Sequence, residues 1–377
     1  MRVIVPDYYK NFKCIASECT DTCCAGWEVD VDEKAQEYYV TVSGEFGKRL
    51  KDNTIIDEDG IRFTLTDKKR CCFLNDCNLC DLYTALGEEH LCETCTDFPR
   101  FSEVFGDLKE KGISLSCPTA AGLILDHEDK LTFEESEEDE MIALNDIDYD
   151  LYMQLMAARR QALDMAQNRD RDIIWRVLSV LLFANDIQKY IFKGKYKKIA
   201  KVREKYLEEK YIDKMILKNG KKALKHVNGA DNIDRLLSVF EKFEVVNAVW
   251  PQKLSEAKGA NENCANNDAE YAAYFKSREI SYEQLLVYFI YRYFMKAVYD
   301  LDLIAKVKLG VVSIIVIRSV EKAAWLREKE LSLEELIDIA HLYSKEVEHS
   351  DENMDGISDL CHEDLSFHME ALIASLL

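Results

Sequence analysis

Apolar and polar residues alternate along this chain in two ways, and the change comes after its first third. From Asp148 onward apolar positions return every three or four residues, as at Ile173, Ile174, Val177, Leu178, Leu181 and Leu182, and again at Leu285, Leu286, Phe289, Tyr293 and Ala297. That spacing places them on one face of a helix. Ser281-x-x-Gln284 and Ser332-x-x-Glu335 read as capping boxes and predict helix starts at those points. About eight helices are expected, packed on one another as an all-α domain. The stretches 228–232 and 258–268 are polar and without period, so they are predicted as loops. The most apolar windows, Leu285 to Tyr291 and Val311 to Ile317, are bounded by Arg292, Lys296 and Arg318. They fall short of the roughly 20 residues that span a bilayer and are predicted as core helices.

Earlier in the chain the pattern is short-ranged. A helix from Asp32 through Tyr39, opened by an Asp cap, and short strands around Ile61 to Thr66 are predicted among loops. Only 4 Pro and 14 Gly occur, and Pro6, Pro99 and Pro118 fall in this first part, which is why it should differ in architecture from the helices that follow. Between the two lies Asp126 to Glu140, with the run Glu134-Glu-Ser-Glu-Glu-Asp-Glu140. Like charges this dense repel one another, so the run reads as a linker or exposed edge, or else as a docking site for substrate lysines. The expected organisation is mainly α: a cysteine-rich region with short strands over 1–125, an acidic linker over 126–147, and an all-α helical domain over 148–377.

Charge narrows the possible partners. With 49 Lys and Arg against 70 Asp and Glu the net charge is −21. Such a chain repels nucleic acid and anionic membrane surfaces unless one local patch dominates. Met1 to Lys10 carries no apolar signal core, so a cytoplasmic location is expected.

The cysteines change the picture most. Of 13, eleven precede residue 118: Cys14, Cys19, Cys23, Cys24, Cys71, Cys72, Cys77, Cys80, Cys92, Cys95 and Cys117. In a reducing compartment that density points to thiolate metal ligation rather than a disulfide framework. Cys77-x2-Cys80 and Cys92-x2-Cys95 have the spacing of a tetrathiolate zinc site. Upstream, Cys14-x4-Cys19-x3-Cys23-Cys24 offers four more thiols, and the adjacent Cys23 and Cys24 diverge too far to chelate one ion, which assigns them to different metal atoms or different irons of a cluster. The C-x3-C-x2-C signature of radical S-adenosylmethionine enzymes fails at its second spacing. No Gly-rich nucleotide loop is present either.

These residues carry a resemblance. Phe12-Lys-Cys14-x4-Cys19-x3-Cys23-Cys24-x-Gly26-Trp27, with Cys72-Phe-Leu, Cys80-x-Leu-Tyr, Leu86-Gly87, Cys95-x2-Phe98-Pro99-Arg100 and Ser116-Cys117-Pro118, resembles the flagellin lysine N-methylase family, within the wider group of zinc- or iron-chelating cysteine-cluster proteins. The motifs span residues 12 to 118. Beyond them the best match is Tyr291-Arg-Tyr-Phe-Met-Lys-Ala-Val-Tyr299. The resemblance implies a [4Fe-4S] cluster and methylation of flagellin lysines with S-adenosylmethionine as donor. It places the family's thiols on Cys14, Cys19, Cys23, Cys24, Cys72, Cys80, Cys95 and Cys117, and leaves Cys71, Cys77 and Cys92, two of which the spacing favoured, as second-site or exchange thiols.

Methyl transfer to lysine needs a neutral amine, so an apolar or aromatic channel that desolvates the ammonium is sought. Tyr288, Tyr291, Tyr293 and Tyr299 around Arg292 are candidates, against the plainer reading that they are core. Trp27 stands beside the Cys23-Cys24 pair as a shield for a cluster or a loop anchor, and Arg100 is a partner for thiolates or a surface ion pair. None of the seven His has a spacing that demands ligation. Two functions are carried forward: an iron-sulfur protein lysine methyltransferase, and a non-enzymatic zinc-binding module whose helical domain docks a partner.

Overall fold

The computed structural model describes residues 1–58, 60–139, 147–262 and 268–377, with side chains omitted at 261, 262 and 268. Among the described residues, seven strands form two sheets. β1 (Arg2–Pro6), β5 (Arg100–Phe105), β6 (Leu108–Ile113) and β7 (Phe133–Glu137) lie in the order β5-β6-β1-β7, with β1 parallel to β6 and antiparallel to β7. β2 (Val29–Asp30), β3 (Thr54–Asp57) and β4 (Gly60–Phe63) form a small antiparallel sheet in the order β2-β4-β3. The early helices are short: α1 (Glu33–Tyr39), α2 (Gly44–Asp52), α3 (Asp81–Leu86), α4 (Glu93–Asp97) and α5 (Pro118–Leu125). The later ones are α6 (Tyr149–Ala166), α7 (Ile173–Ile191), α8 (Ile199–Lys205), α9 (Glu209–His226), α10 (Gly229–Phe240), α11 (Trp250–Glu262), α12 (Asp268–Ser277), α13 (Glu279–Tyr293), α14 (Ala297–Asp300), α15 (Leu303–Glu328), α16 (Leu333–Glu348), α17 (Asp351–Glu363) and α18 (Met369–Leu376). The mainly α reading holds, though with more and shorter helices than expected.

Local signals account for several boundaries. Asp32 caps α1 by accepting from the Ala35 amide, and Ser332 and Glu335 form a reciprocal capping box at α16. Three expectations are corrected. Ser281 lies buried inside α13, which begins at Glu279, so Ser281-x-x-Gln284 is not a helix start. Asn228 caps α10 rather than opening a loop, because its side chain accepts from the Ala230 amide and the chain turns into helix at once. Residues 258–262 continue α11, while 263–267, with Cys264, lie outside the described residues. The acidic run takes the exposed-edge form of its reading: Phe133–Glu137 is the outer strand beside β1, and Glu140 lies outside the described residues.

The buried side chains form two cores. The smaller joins Val29, Val31, Tyr39, Leu50, Phe63, Cys71, Phe73, Leu82 and Cys92, with Cys24, Cys72, Cys80 and Cys95 packed against it. The larger runs from Tyr8, Phe12, Phe105 and Leu115 through α5 into the helices, so the four-stranded sheet shares its core with the later domain. At its centre α15 is apolar nearly all round, as a helix enclosed by others must be. Gly310 permits its crossing with α13, since a Cβ there would stand 2.8 Å from Phe289 Cβ. A buried ion pair fastens sheet to helices: Arg159 on α6 donates through both terminal nitrogens to Glu110 on β6.

Candidate functional site

The cysteine loops are stitched together by their backbone. The Cys71 amide donates to the Cys24 carbonyl at 2.7 Å and the Gly26 amide to the Lys69 carbonyl at 2.9 Å, which holds the Cys23-Cys24 turn against the Cys71-Cys72 turn. Cys80, Cys92 and Cys117 stand at the N-caps of α3, α4 and α5, and Pro118 follows at the first position of α5, where its missing N–H costs nothing. Cys95 sits within α4. Gly26, with φ +104°, lets the chain pass the helical domain, because a Cβ there would lie 3.1 Å from Val246 Cγ1.

All twelve described cysteines are free thiols, and the electrostatics of most of those before residue 118 marks two adjoining groups that meet where Cys23 touches Cys24. Contact with Cys24, loss of hydration and the nearby Cys14 and Cys117 thiols push Cys23 up. Burial raises Cys19 and Cys117, whose thiol neighbours are Cys14 for the first and Cys19 and Cys14 for the second. Cys14, Cys19, Cys23 and Cys117 therefore share one region. Around Cys24 lie Cys71, Cys80 and Cys95, each of which feels its charge. Cys24 is brought down to about 7, first by its contact with Cys23 and, against burial, by Thr22, Arg70 and Lys345. Cys72 is likewise brought down to about 7, by contact with Cys71 against burial, with Thr64 and Arg49 assisting. Cys92 touches Cys95 and is lowered by that contact. Cys77 is exposed.

A sulfur-rich donor set is the chemistry that holds zinc or an iron-sulfur cluster. In donor type the residues fit such a group. Among the described residues, however, no three His, Cys, Asp or Glu side chains stand in ligating arrangement. Among the described residues the helical domain adds no cysteine to the site: Cys361 is buried against α15.

Where the first neighbourhood meets the helices, a polar junction is built on one face of α16. His341, Ser344, Lys345 and Glu348 recur at i, i+3, i+4 and i+7 and are buried. Asp21, two residues from Cys19, accepts from Lys345 Nζ at 2.9 Å and lies 3.1 Å from His341 Nε2; burial opposes its ionisation, but these partners outweigh it and hold the carboxyl low. Lys345 also lies over the Trp27 ring at 4.9 Å. Trp27 stacks on His349 at 4.6 Å, and His349 Nε2 is 2.5 Å from Ser116 Oγ, one residue from Cys117. Burial, aided by Arg292, lowers His349 to about 4, so it is neutral at pH 7. Glu348 accepts from Tyr288, Tyr293 and Ser344 and pairs with Arg292 at 3.1 Å.

This geometry decides the sequence candidates. Tyr288, Tyr291 and Tyr293 are core, with hydroxyls donated to Glu348 or, for Tyr291, to the Ile4 and Lys111 carbonyls; Tyr299 is half-exposed and bonds the Val104 carbonyl. They form no open channel. Arg100 lies over the Phe12 ring at 5.0 Å. The α16 face was missed in the sequence. Its signal, polar side chains at helical spacing, looks the same whether the face meets water or a buried junction.

Residues 159–375 match the model of a family described as the FliB lysine N-methylase C-terminal domain. The flagellar biosynthetic protein FliU of Salmonella muenchen is 27% identical over 147 residues, which is 35% of this chain and 82% of that protein. The lysine-N-methylase of Salmonella typhimurium is 27% identical over 147 residues, and that of Salmonella choleraesuis 26% over 142, each covering 35% of both chains. The match thus spans about a third of those two methylases. No solved structure matches. The matched segment contains α13 and α16, the helices on which the cysteine loops are docked, and the chain belongs to the FliB lysine N-methylase C-terminal domain family.

Proposed function

We propose that the protein is a protein-lysine N-methyltransferase that acts on flagellin with S-adenosylmethionine as methyl donor, and that its thiolates hold an iron-sulfur cluster. The observation that carries the activity is the family match over residues 159–375, supported by relatives named for lysine methylation and flagellar biosynthesis. In the reaction the neutral ε-amine attacks the methyl carbon of the sulfonium; the C–N bond forms, the C–S bond breaks to leave a thioether, and a proton passes from nitrogen to solvent. No electron is exchanged, so a cluster with four protein thiolates would serve as scaffold and keep the two thiol neighbourhoods closed. Its four ligands would be drawn from Cys14, Cys19, Cys23 and Cys117 on the α16 side and Cys24, Cys72, Cys80 and Cys95 on the side of the small core.

Deleting the gene and weighing flagellin from the same cells tests the activity: methyl-lysine disappears if the reading is right and persists if it is wrong. Anaerobic purification tests the metal. Broad visible absorbance with iron and sulfide supports the cluster, whereas a colourless protein with stoichiometric zinc favours the zinc-binding module suggested by the Cys77, Cys80, Cys92 and Cys95 spacing.

A further inference from the structure

The acidic chain carries one region of opposite charge. From Lys189 to His226 there are fourteen Lys or Arg against four Asp or Glu, a net +10 that leaves −31 on the rest. On α9, Lys210, Lys214, Lys218, Lys221 and Lys225 follow one another at intervals of four, four, three and four. At 100° per residue they fall within an arc of about 80°. All five are exposed, and none has an ion-pair partner among the described residues. Two of the four acids of this segment are engaged elsewhere: Glu209 and Asp213 both accept from Arg171, and Asp213 also from Trp175 Nε1 at 2.7 Å. Lysines at these spacings repel one another and weaken their own helix, so the stripe costs stability that no ion pair among the described residues repays.

Large apolar side chains are exposed in the same region. Leu217 and Leu224 are 59% and 57% exposed and lie roughly 20° and 40° beyond the edge of the lysine arc on α9. Phe192 and Leu207, before and after α8, are 71% and 73% exposed. Lys197, Lys201 and Lys205 repeat the four-residue spacing through α8.

We propose that this face docks on an anionic lipid bilayer, with the lysines at the headgroups and Leu217 and Leu224 entering the boundary with the acyl chains. The choice of occupant follows from the side chains. Thirteen of the fourteen cations are Lys, point charges on flexible stems suited to a diffuse lipid surface, whereas the bidentate fork that favours nucleic-acid phosphates belongs to Arg. Exposed leucines beside the lysines gain from a lipid boundary and gain nothing from a phosphate backbone. A plane also meets only this face, and the acidic remainder is screened beyond about 8 Å at physiological ionic strength. This is the local patch that overrides the repulsion expected from the net charge, and it is independent of the methyltransferase reading.

The test is sedimentation of the full-length protein with vesicles of phosphatidylcholine alone or mixed with phosphatidylglycerol. Binding to the mixed vesicles only, weakening with salt, is expected. At roughly fivefold per lysine, replacing Lys210, Lys214, Lys218, Lys221 and Lys225 together by Gln should reduce it by about three thousandfold, and Leu217→Ser with Leu224→Ser should weaken it at fixed charge. Circular dichroism of the variants should match the parent, as these side chains are exposed. Equal binding to both vesicles, or undiminished binding by the folded lysine variant, overturns the proposal. So does tighter binding to duplex DNA than to the mixed vesicles, or a lysine-dependent dimer in solution without lipid.

Discussion

His349 is the residue whose environment has the clearest consequence. Its imidazole lies between Trp27 and Ser116 with its pKa lowered from 6.5 to about 4. Between those values the unfolded chain binds a proton that the native site refuses, so stability is lost as pH falls from 6.5 towards 4. The shift corresponds to about 3 kcal/mol at the acid limit. Chemical denaturation at pH 7 and pH 4.5 should show a smaller acid loss in His349→Gln than in the parent; equal losses would remove His349 as the cause. The thiols give a second prediction. Cys→Ala at Cys72, Cys80, Cys95 or Cys117 should lose metal and much of the fold, because metal bound by loop thiolates contributes folding free energy. Unchanged iron and solubility in all four would contradict the ligand set.

At the scale of elements, local signals were legible and buried ones were not. The caps at Asp32 and Ser332 concern backbone amides within one turn, so the sequence contains all the partners. The apparent box at Ser281 failed because Ser281 and Gln284 are buried in mid-helix, where Gln284 donates to the His127 and Asp129 carbonyls of a distant loop. The cysteine spacing marked the site region, yet the expectation that the adjacent Cys23 and Cys24 thiols diverge is corrected: they touch each other, and Cys23 also has Cys14 and Cys117 nearby while Cys24 has Cys71 and Cys95, neighbours that only the folded chain supplies. The crossing of α13 and α15 offers a packing test. Gly310→Ala places a methyl against Phe289 and should destabilise by about 1–3 kcal/mol; a denaturation midpoint equal to the parent's would show that the crossing has room.

For the whole molecule, the four-stranded sheet and the helices behave as one packed body around the larger core, with Glu110 and Arg159 paired across them. Glu110→Gln leaves the guanidinium buried without its counter-charge, and a loss of about 3–5 kcal/mol is expected in chemical denaturation. Charge acts at longer range. Glu134 pairs with Lys10 and Glu138 with Lys111, so exposed Glu135 and Glu137 are the carboxylates of the β7 edge available to steer a lysine-rich substrate. If they do so, methylation slows as salt rises and Glu135→Gln with Glu137→Gln raises KM more than it lowers kcat. A salt-independent rate would leave β7 as an edge strand only. The central claim is methyl transfer itself, and it is tested most directly by incubating the anaerobically purified protein with unmethylated flagellin and methyl-labelled S-adenosylmethionine, then mapping lysines by mass spectrometry. Labelled methyl on flagellin ε-amines is the predicted result. An iron-loaded, folded protein that leaves every flagellin lysine unlabelled would contradict the account.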